Sequence, residues 1–341
     1  MVARAIFCDR KRLRRLLKGQ LSAKLAESVT QHLEGCSTCE RELQALAAGD
    51  NWWDEAQRFL GDPDHDTPPL DWEDNDRASD AMVLDLLEPS DNPGRLGRLG
   101  GYEIIEVVGR GGMGVVLKGF DDELNRYVAV KVLAPYYASS AAARKRFARE
   151  ARAAAAVVHQ HVVAIHAVDA DAKLPYLVMP WVACESLQER IDQQGPLDIK
   201  DILRIGLQAA WGLSAAHAQG LIHRDVKPAN ILLEKGVDRV FLTDFGLARA
   251  IDDATLTHSG VIAGTPQYMS PEQAKGESID HRSDLFSLGS VLYEMSTGRP
   301  PYRAETTMGI IRRVCDSTAR PPREVNPDKG GIHFPLVATT F

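Results

Sequence analysis

A glycine cluster and a lysine that follows it are the first residues whose types and spacing indicate chemistry. Gly109, Gly111 and Gly114 have the spacing G-x-G-x-x-G, and glycines let a backbone turn tightly and approach phosphate oxygens closely. Dinucleotide-binding turns share this spacing, but a helix follows them, whereas here a strand pattern follows, with Val116 two residues after Gly114. Lys131 lies inside an apolar strand pattern, so its ammonium group needs an anion unless the strand lies at the surface and the side chain reaches water.

The strongest signal in the chain comes from three further segments. His223–Asn230 reads His-Arg-Asp-Val-Lys-Pro-Ala-Asn, Thr243–Gly246 reads Thr-Asp-Phe-Gly, and Gly264–Glu272 reads Gly-Thr-Pro-Gln-Tyr-Met-Ser-Pro-Glu. Together with the glycine cluster and the lysine, these segments match the signature set of protein kinases in content and order. From Tyr102 to about Asn326, the chain therefore resembles a bacterial-like, eukaryotic-type (Hanks-type) protein serine/threonine kinase.

The resemblance implies transfer of the γ-phosphoryl group of ATP to serine or threonine hydroxyls of protein substrates, a reaction that depends on positioning and charge neutralisation. Asp225 is implied to accept the proton of the substrate hydroxyl or to orient that hydroxyl. Lys227 is implied to contact the γ-phosphate and marks serine/threonine rather than tyrosine specificity, as does Thr265. Asn230 and Asp244 are the implied ligands of Mg²⁺, or of Mn²⁺ in its place.

The same resemblance gives roles to residues outside these segments. Lys131 is implied to contact the α- and β-phosphates and Glu150 to pair with Lys131, although Glu150 could instead be a solvated helix glutamate. Asp284 matches a buried aspartate that braces the catalytic loop. Arg224 matches the arginine that pairs with a phosphorylated activation loop, on which the candidate phosphorylation sites are Thr255, Thr257 and Ser259, with Thr257 slightly favoured.

The adenine ring is expected to bind beside the short apolar segment Tyr176–Met179. Met179 takes the gatekeeper position, and the backbone after it is implied to contact the ring through the carbonyl of Pro180 and the N–H of Val182. The side chains implied to sandwich the ring, which could equally be described as core, are Val116, Ala129 and Leu232.

A cysteine and histidine cluster near the N-terminus is a candidate zinc site. His32, Cys36 and Cys39 have the spacing H-x₃-C-x₂-C, and Cys8 lies far upstream. Three such ligands and a distant fourth suit tetrahedral Zn²⁺. The pattern resembles the zinc-finger domain of anti-sigma factors over residues 6–47. A redox cysteine pair is the alternative, but it would want a βαβ setting that this segment lacks.

The elements that must position these residues follow from the apolar pattern. A β-rich lobe and then a larger helical lobe are expected, which is the two-lobed α+β protein kinase fold. The predicted strands are Tyr102–Val108, Val115–Gly119, Arg126–Leu133, Tyr176–Met179 and Val240–Leu242, and the predicted helices are Ala141–Val158, Leu197–Gln219 and Ala304–Cys315.

Four regions are predicted along the chain of 341 residues. Residues 1–49 form the small helical zinc-binding module, and the acidic, proline-containing stretch 50–100 forms a disordered linker, since it has few apolar residues to offset ordering entropy. The kinase domain spans residues 102–326. Residues 327–341 form an atypical tail without the further helices of the family or the arginine that pairs with Glu272, so the helical lobe is expected to be truncated.

Composition excludes several classes of protein. The net charge of -7 argues against a general nucleic-acid binder. No apolar run approaches the roughly 20 residues of a membrane span, and five unevenly spaced cysteines, of which Cys184 and Cys315 look structural, do not make a disulfide framework. A cytoplasmic signalling kinase is the first hypothesis. The second is a kinase-like scaffold with weak or no activity that acts through a protein partner of its zinc module.

Overall fold

The computed structural model describes residues 29, 32, 36, 39, 82–111, 114–237, 239–245 and 266–327. The chain divides into two compact units, Met1–Asp71 and Trp72–Phe341. The first four described residues belong to the smaller unit, and all the strands and helices below belong to the larger one.

The N-terminal lobe of the larger unit is a six-stranded antiparallel sheet with the order β1-β2-β3-β4-β6-β5. Two helices lie between its fourth and fifth strands. The elements are β1 (Gly97–Leu99), β2 (Tyr102–Gly111), β3 (Gly114–Asp121), β4 (Arg126–Leu133), α1 (Pro135–Ala138), α2 (Ala141–Ala155), β5 (Ala167–Asp169) and β6 (Tyr176–Pro180).

Both faces of β4 are covered, and this explains its nearly continuous apolar sequence. Val128 and Val130 point into one apolar cluster of the sheet together with Leu117. The alternate residue Ala129 joins the opposite cluster, which includes Phe147 of α2. The strand therefore holds its side chains between two packed layers, and Lys131 is in the middle of this strand.

The folded part of this lobe begins before the boundary that the sequence predicted. Residues 82–100 belong to the predicted linker, yet Val83 is fully buried against the sheet and β1 pairs with β2. Backbone hydrogen bonds in both directions join Glu88 to Arg98. This end of the stretch supplies apolar side chains, which the aspartate-rich part of the predicted linker lacks.

The C-terminal lobe is mainly helical and carries a small sheet with the order β7-β8-β9. Its core is formed largely by its two longest helices, Ile199–Ala218 and His281–Thr297, and by this sheet. The elements are β7 (Cys184–Ser186), α3 (Leu187–Gln194), α4 (Ile199–Ala218), a 3-10 turn (Pro228–Asn230), β8 (Ile231–Glu234), β9 (Val240–Leu242), a second 3-10 turn (Pro266–Tyr268), α5 (Pro271–Ala274), α6 (His281–Thr297), α7 (Thr307–Asp316) and α8 (Pro322–Val325).

The predicted arrangement of a β-rich lobe followed by a larger helical lobe is confirmed. The predicted strands and helices are all present, with ends that differ by a few residues. Within the described parts of the chain, none of the helices has the length and apolar character needed to cross a bilayer. Residues 328–341, which contain most of the predicted tail, lie outside the described part of the chain.

Candidate active site

The glycine cluster lies where β2 turns into β3. Gly109 is opposite Val116 in the antiparallel ladder, and Gly111 is opposite Gly114. A Cβ atom on Gly114 would lie 1.9 Å from the backbone oxygen of Val132. The φ of Gly114 is 146°, a backbone conformation that residues with a Cβ rarely adopt. Only glycine fits this position, so the turn lies directly against β4.

Lys131 lies across from this turn, and its side chain reaches the second lobe. It is opposite Val116 on one side and opposite Leu177 on the other, and 8% of its surface is exposed. Its Nζ is 2.6 Å from Oδ1 of Asp244, which follows β9. The anion that the sequence required for this lysine is therefore, in this structure, the carboxylate of Asp244.

The electrostatics of Asp244 follow from this contact. Burial acts to raise its pKa, but the charge and hydrogen bond of Lys131, with smaller effects of His223 and Lys227, outweigh burial and lower it. Asp244 is therefore held as a carboxylate. Its φ of 67° lies in the left-handed region, a strained backbone that persists only where surrounding contacts fix it.

Asp225 is held on both sides by residues of its own loop. Lys227 Nζ lies 2.8 Å from Asp225 Oδ2. Asn230 Nδ2 donates to the same oxygen at 2.9 Å and to the Asp225 carbonyl at 2.8 Å. Asn230 is buried in the 3-10 turn and Asp225 is half-buried, so a fixed carboxylate points from an ordered loop.

A carboxylate from α6 fixes the start of this loop. Asp284 is fully buried, and its Oδ2 accepts from the backbone N–H of His223 at 2.8 Å while its Oδ1 accepts from that of Arg224 at 2.7 Å. Its Oδ2 also lies 2.7 Å from Nε2 of His217 at the end of α4. These contacts hold Arg224 in a left-handed conformation with φ of 68°.

His223 joins its own loop to the segment that carries Asp244. Its Nε2 lies 2.9 Å from the carbonyl oxygen of Thr243, and its ring centroid is 4.4 Å from that of Phe245. Both rings are buried. The two segments with the predicted cation ligands are therefore packed together.

The donor set fits a magnesium ion and a phosphate chain. Because Nδ2 of Asn230 is committed to Asp225, Oδ1 is the atom that Asn230 can offer to a cation, and Asp244 offers carboxylate oxygens. Carboxylate and amide oxygens are the ligands of hard divalent cations. The close approach of backbone at Gly114 and the charge of Lys131 suit phosphate oxygens.

Comparison with known families decides what this arrangement is. A family model described as the protein kinase domain matches residues 102–329. The chain belongs to the protein kinase family.

Relatives of this kinase domain carry serine/threonine kinase names. A probable serine/threonine-protein kinase of Clostridium acetobutylicum is 41% identical over 227 residues, which is 67% of this chain and 34% of that protein. Serine/threonine-protein kinase PknB of Mycobacterium leprae is 40% identical over 228 residues, 65% of this chain and 36% of that protein. The chain thus spans about a third of the length of these curated relatives.

Solved structures agree with this assignment. The kinase domain of PknI from Mycobacterium tuberculosis has a TM-score of 0.54 and 27% sequence identity, with 70% of this chain and 86% of that chain covered. Protein serine/threonine kinase is therefore the enzyme class of the family, and the comparisons do not favour the scaffold hypothesis.

The residues predicted to sandwich the adenine ring come from the sheets of both lobes. Ala129 is opposite Met179 in the β4–β6 ladder, and Val116 packs against the same cluster. Leu232 comes from β8, where it is opposite Ser186. Of the backbone positions, Pro180 ends β6 and Val182 follows it, both half-buried. A mostly apolar cavity is lined by Ala154, Val163, Ile165, Leu177, Met179, Thr243, Asp244 and Phe245.

The predicted pair of Lys131 with Glu150 is not formed in this structure. Glu150 lies on α2 and is buried, and its Oε1 is 3.6 Å from Nη2 of Arg149. Among the described residues, the ion pair of Lys131 is instead with Asp244. The sequence predicted Glu150 as the partner of Lys131 and Mg²⁺ as the partner of Asp244, so the direct ion pair of Lys131 with Asp244 was not foreseen.

Five of the predicted site residues lie outside the part of the chain that the structure describes. These are Cys8, Thr255, Thr257, Ser259 and Thr265. Of the predicted zinc ligands, His32, Cys36 and Cys39 are described, and one ligand atom of each lies within 4.8 Å of the others. This grouping agrees with the spacing of the three residues in the sequence.

Glu272, which was expected to lack its arginine partner, is not a fully buried charge in this structure. It is half-buried at the start of α5, and the hydroxyl of Ser283 donates to its Oε1. A half-buried carboxylate with a hydrogen-bond donor costs much less than an isolated buried charge. Glu272 is therefore not left as an isolated buried charge in this structure.

Two residues of the site were missed from the sequence, His217 and Gln273. His217 contacts Asp284 across 67 positions of sequence, and Gln273 contacts the Arg224 carbonyl across 49 positions. His217 lies at the end of an alanine-rich helix that carries no chemical pattern. Gln273 directly follows the signature segment Gly264–Glu272, but that match gives no role to its side chain. Only the tertiary fold brings them to the catalytic loop.

The glycine turn gives a testable prediction. Gly114→Ala should raise the KM for ATP about 10- to 100-fold, because the new Cβ would meet backbone and require about 1–3 kcal/mol of strain to be relieved by opening the turn. Steady-state kinetics with varied ATP is the measurement. Gly101→Ala is the matched control, since a Cβ there meets nothing within 4 Å. An unchanged KM in Gly114→Ala would show that the turn does not hold the phosphates.

Proposed function

We propose that this chain is an active, ATP-dependent protein kinase that phosphorylates serine and threonine hydroxyls of protein substrates in signalling. The observation that carries the proposal is the fixed carboxylate of Asp225, held by Lys227 and Asn230 in a loop that the buried Asp284 braces. A reaction that consumes ATP places the domain in the cytoplasm.

In this proposal Asp225 orients the substrate hydroxyl and accepts its proton as the oxygen attacks the γ-phosphorus. The bond between that phosphorus and the bridging oxygen of the β-phosphate breaks, and ADP leaves. Lys227, already 2.8 Å from Asp225, balances the charge that passes along the reacting oxygens. Val116, Ala129 and Leu232 hold the adenine ring, with the carbonyl of Pro180 and the N–H of Val182 at its edge.

Asn230 and Asp244 would hold Mg²⁺, which neutralises charge on the phosphates when it is bound. Asp244 must then exchange its contact with Lys131 for the cation. Lys131 would turn to the α- and β-phosphate oxygens and to Glu150, whose carboxylate is already buried on the neighbouring helix α2. The pair of Lys131 and Asp244 in this structure thus keeps both charges compensated before the substrate complex forms.

Two substitutions test the proposal. Asp225→Asn should remove the proton acceptor and Lys131→Met the phosphate contact, so that each lowers transfer of radiolabelled phosphate from ATP to a generic basic protein by about 10²–10³-fold or more. Circular dichroism should show both variants folded. Asp316→Asn, a change to an exposed acid of α7, is the control and should behave as the wild type. Transfer at the wild-type rate in either variant would contradict the proposed chemistry.

We also propose that residues 1–49 bind one Zn²⁺ through Cys8, His32, Cys36 and Cys39 and recruit a protein partner. The support is the sequence spacing and the grouping of the last three ligand atoms within 4.8 Å. Cys39 and Val29 are fully buried. A module of this size has little apolar core, so metal ligation would supply much of its folding free energy.

Elemental analysis of protein purified without chelator tests the zinc proposal. One zinc per chain is expected, and Cys36→Ser or Cys39→Ser should lower the zinc content severalfold because a thiolate ligand is lost. Cys184→Ser is the control, since Cys184 lies in β7 of the kinase domain. Absence of zinc from the wild type, or equal zinc in all three variants, would contradict the proposal.

A further inference from the structure

Gln273 connects the short helix α5 to the catalytic loop. Its Nε2 donates to the carbonyl oxygen of Arg224 at 2.7 Å, one residue before Asp225. Its Oε1 accepts from the backbone N–H of Ser270 at 2.9 Å. One side-chain amide therefore joins the start of α5 to the residue that directly precedes the catalytic aspartate.

The contact falls on the most strained part of the loop. Arg224 has a φ of 68°, a conformation that a residue with a Cβ adopts at a cost of about 1–3 kcal/mol and keeps only when its surroundings fix it. Asp284 accepts from the N–H of Arg224. Gln273 donates to the carbonyl of the same residue, so the peptide groups on the two sides of the strained Cα are held by side chains from two different helices.

Helix capping alone does not explain this residue. Ser270 and Gln273 form a reciprocal capping box at the start of α5. Ser186 and Glu189 form the same box at the start of α3, where the third-position side chain is an acid without an amide donor. A carboxylate completes the cap equally well, so the amide donor of Gln273 is needed for Arg224 rather than for the helix.

We infer that Gln273 is a positioning residue for phosphoryl transfer, which acts by fixing the Arg224 peptide and thereby the direction of Asp225. This inference rests on the kinase activity proposed above. It also couples the end of the activation segment, which leads into α5, to the catalytic loop. A shift of α5 would move the Arg224 carbonyl and with it the carboxylate that accepts the proton.

Two substitutions separate positioning from capping. Gln273→Met removes both hydrogen bonds, and Gln273→Glu keeps an acceptor for Ser270 but places a carboxylate against the Arg224 carbonyl. Both should lower kcat about 10- to 100-fold, because small misplacement of a catalytic group has effects of this size. The KM for ATP should stay within about twofold, since no ATP contact changes. Glu189→Met, which removes the equivalent cap of α3, is the matched control and should keep the wild-type kcat.

The pH profile of Gln273→Glu gives a readout that a structural role would not move. A protonated glutamic acid can donate to the Arg224 carbonyl, and a hydrogen bond made by the neutral form raises the pKa of that acid. The ratio of variant kcat to wild-type kcat should therefore rise severalfold as the pH falls from about 8.5 to about 5.5. A ratio that is constant across this range would overturn the inference.

Hydrogen–deuterium exchange tests the contact independently of activity. In Gln273→Met the amides of residues 223–225 should exchange about tenfold faster than in the wild type, and in Glu189→Met they should not. If these amides exchange faster in Gln273→Met but the wild-type protein transfers no phosphate, the proposed function is wrong while the contact stands. Unchanged exchange, or an unchanged kcat in folded Gln273→Met, would overturn the inference itself.

Discussion

The buried carboxylate of Asp284 is the interaction on which the rest of the active site depends. It accepts hydrogen bonds from two successive backbone N–H groups and contacts His217, and it is fully buried. A charge in such a place is tolerated only when hydrogen bonds satisfy it. Because these donors belong to the catalytic loop and to α4, the need to satisfy one carboxylate fixes a strained loop against two long helices, α4 and α6.

Contacts spread from this point through hydrogen bonds and packed rings to the second lobe. His223 contacts the carbonyl oxygen of Thr243 and the ring of Phe245. Asp244, which lies between these two residues, forms an ion pair with Lys131 in the sheet of the first lobe. The ion pair joins β4 of the first lobe to the segment that follows β9 in the second lobe. In the proposed function, Asp244 exchanges Lys131 for Mg²⁺ and Lys131 exchanges Asp244 for phosphate oxygens when ATP binds. The loop that Asp284 braces stays fixed during this exchange.

Local residue patterns predicted the parts of the site that depend on sequence neighbours. The five predicted strands and three predicted helices followed from apolar periodicity, whereas β1, β5, β7, β8 and α6 were not predicted. Within the segment His223–Asn230, the hydrogen bonds of Asn230 to Asp225 are local. Contacts between distant segments did not follow, because no local pattern reports them. The amide of Gln273 on the Arg224 carbonyl and the choice of Lys131 between two acids depend on tertiary geometry. The ordered structure of residues 82–100 was not predicted, because the acidic composition of the whole stretch 50–100 outweighed the few apolar side chains near its end.

The turnover of Asp284→Asn tests most directly whether this buried carboxylate positions Asp225 for the proposed phosphoryl transfer. The amide would place a donor against backbone donors, so kcat should fall about 100-fold while the KM for ATP changes little and the protein stays folded. Asp280→Asn, at the exposed N-cap of the same helix, is the matched control, since asparagine also caps helices well. A folded Asp284→Asn variant with the wild-type kcat would contradict the central claim.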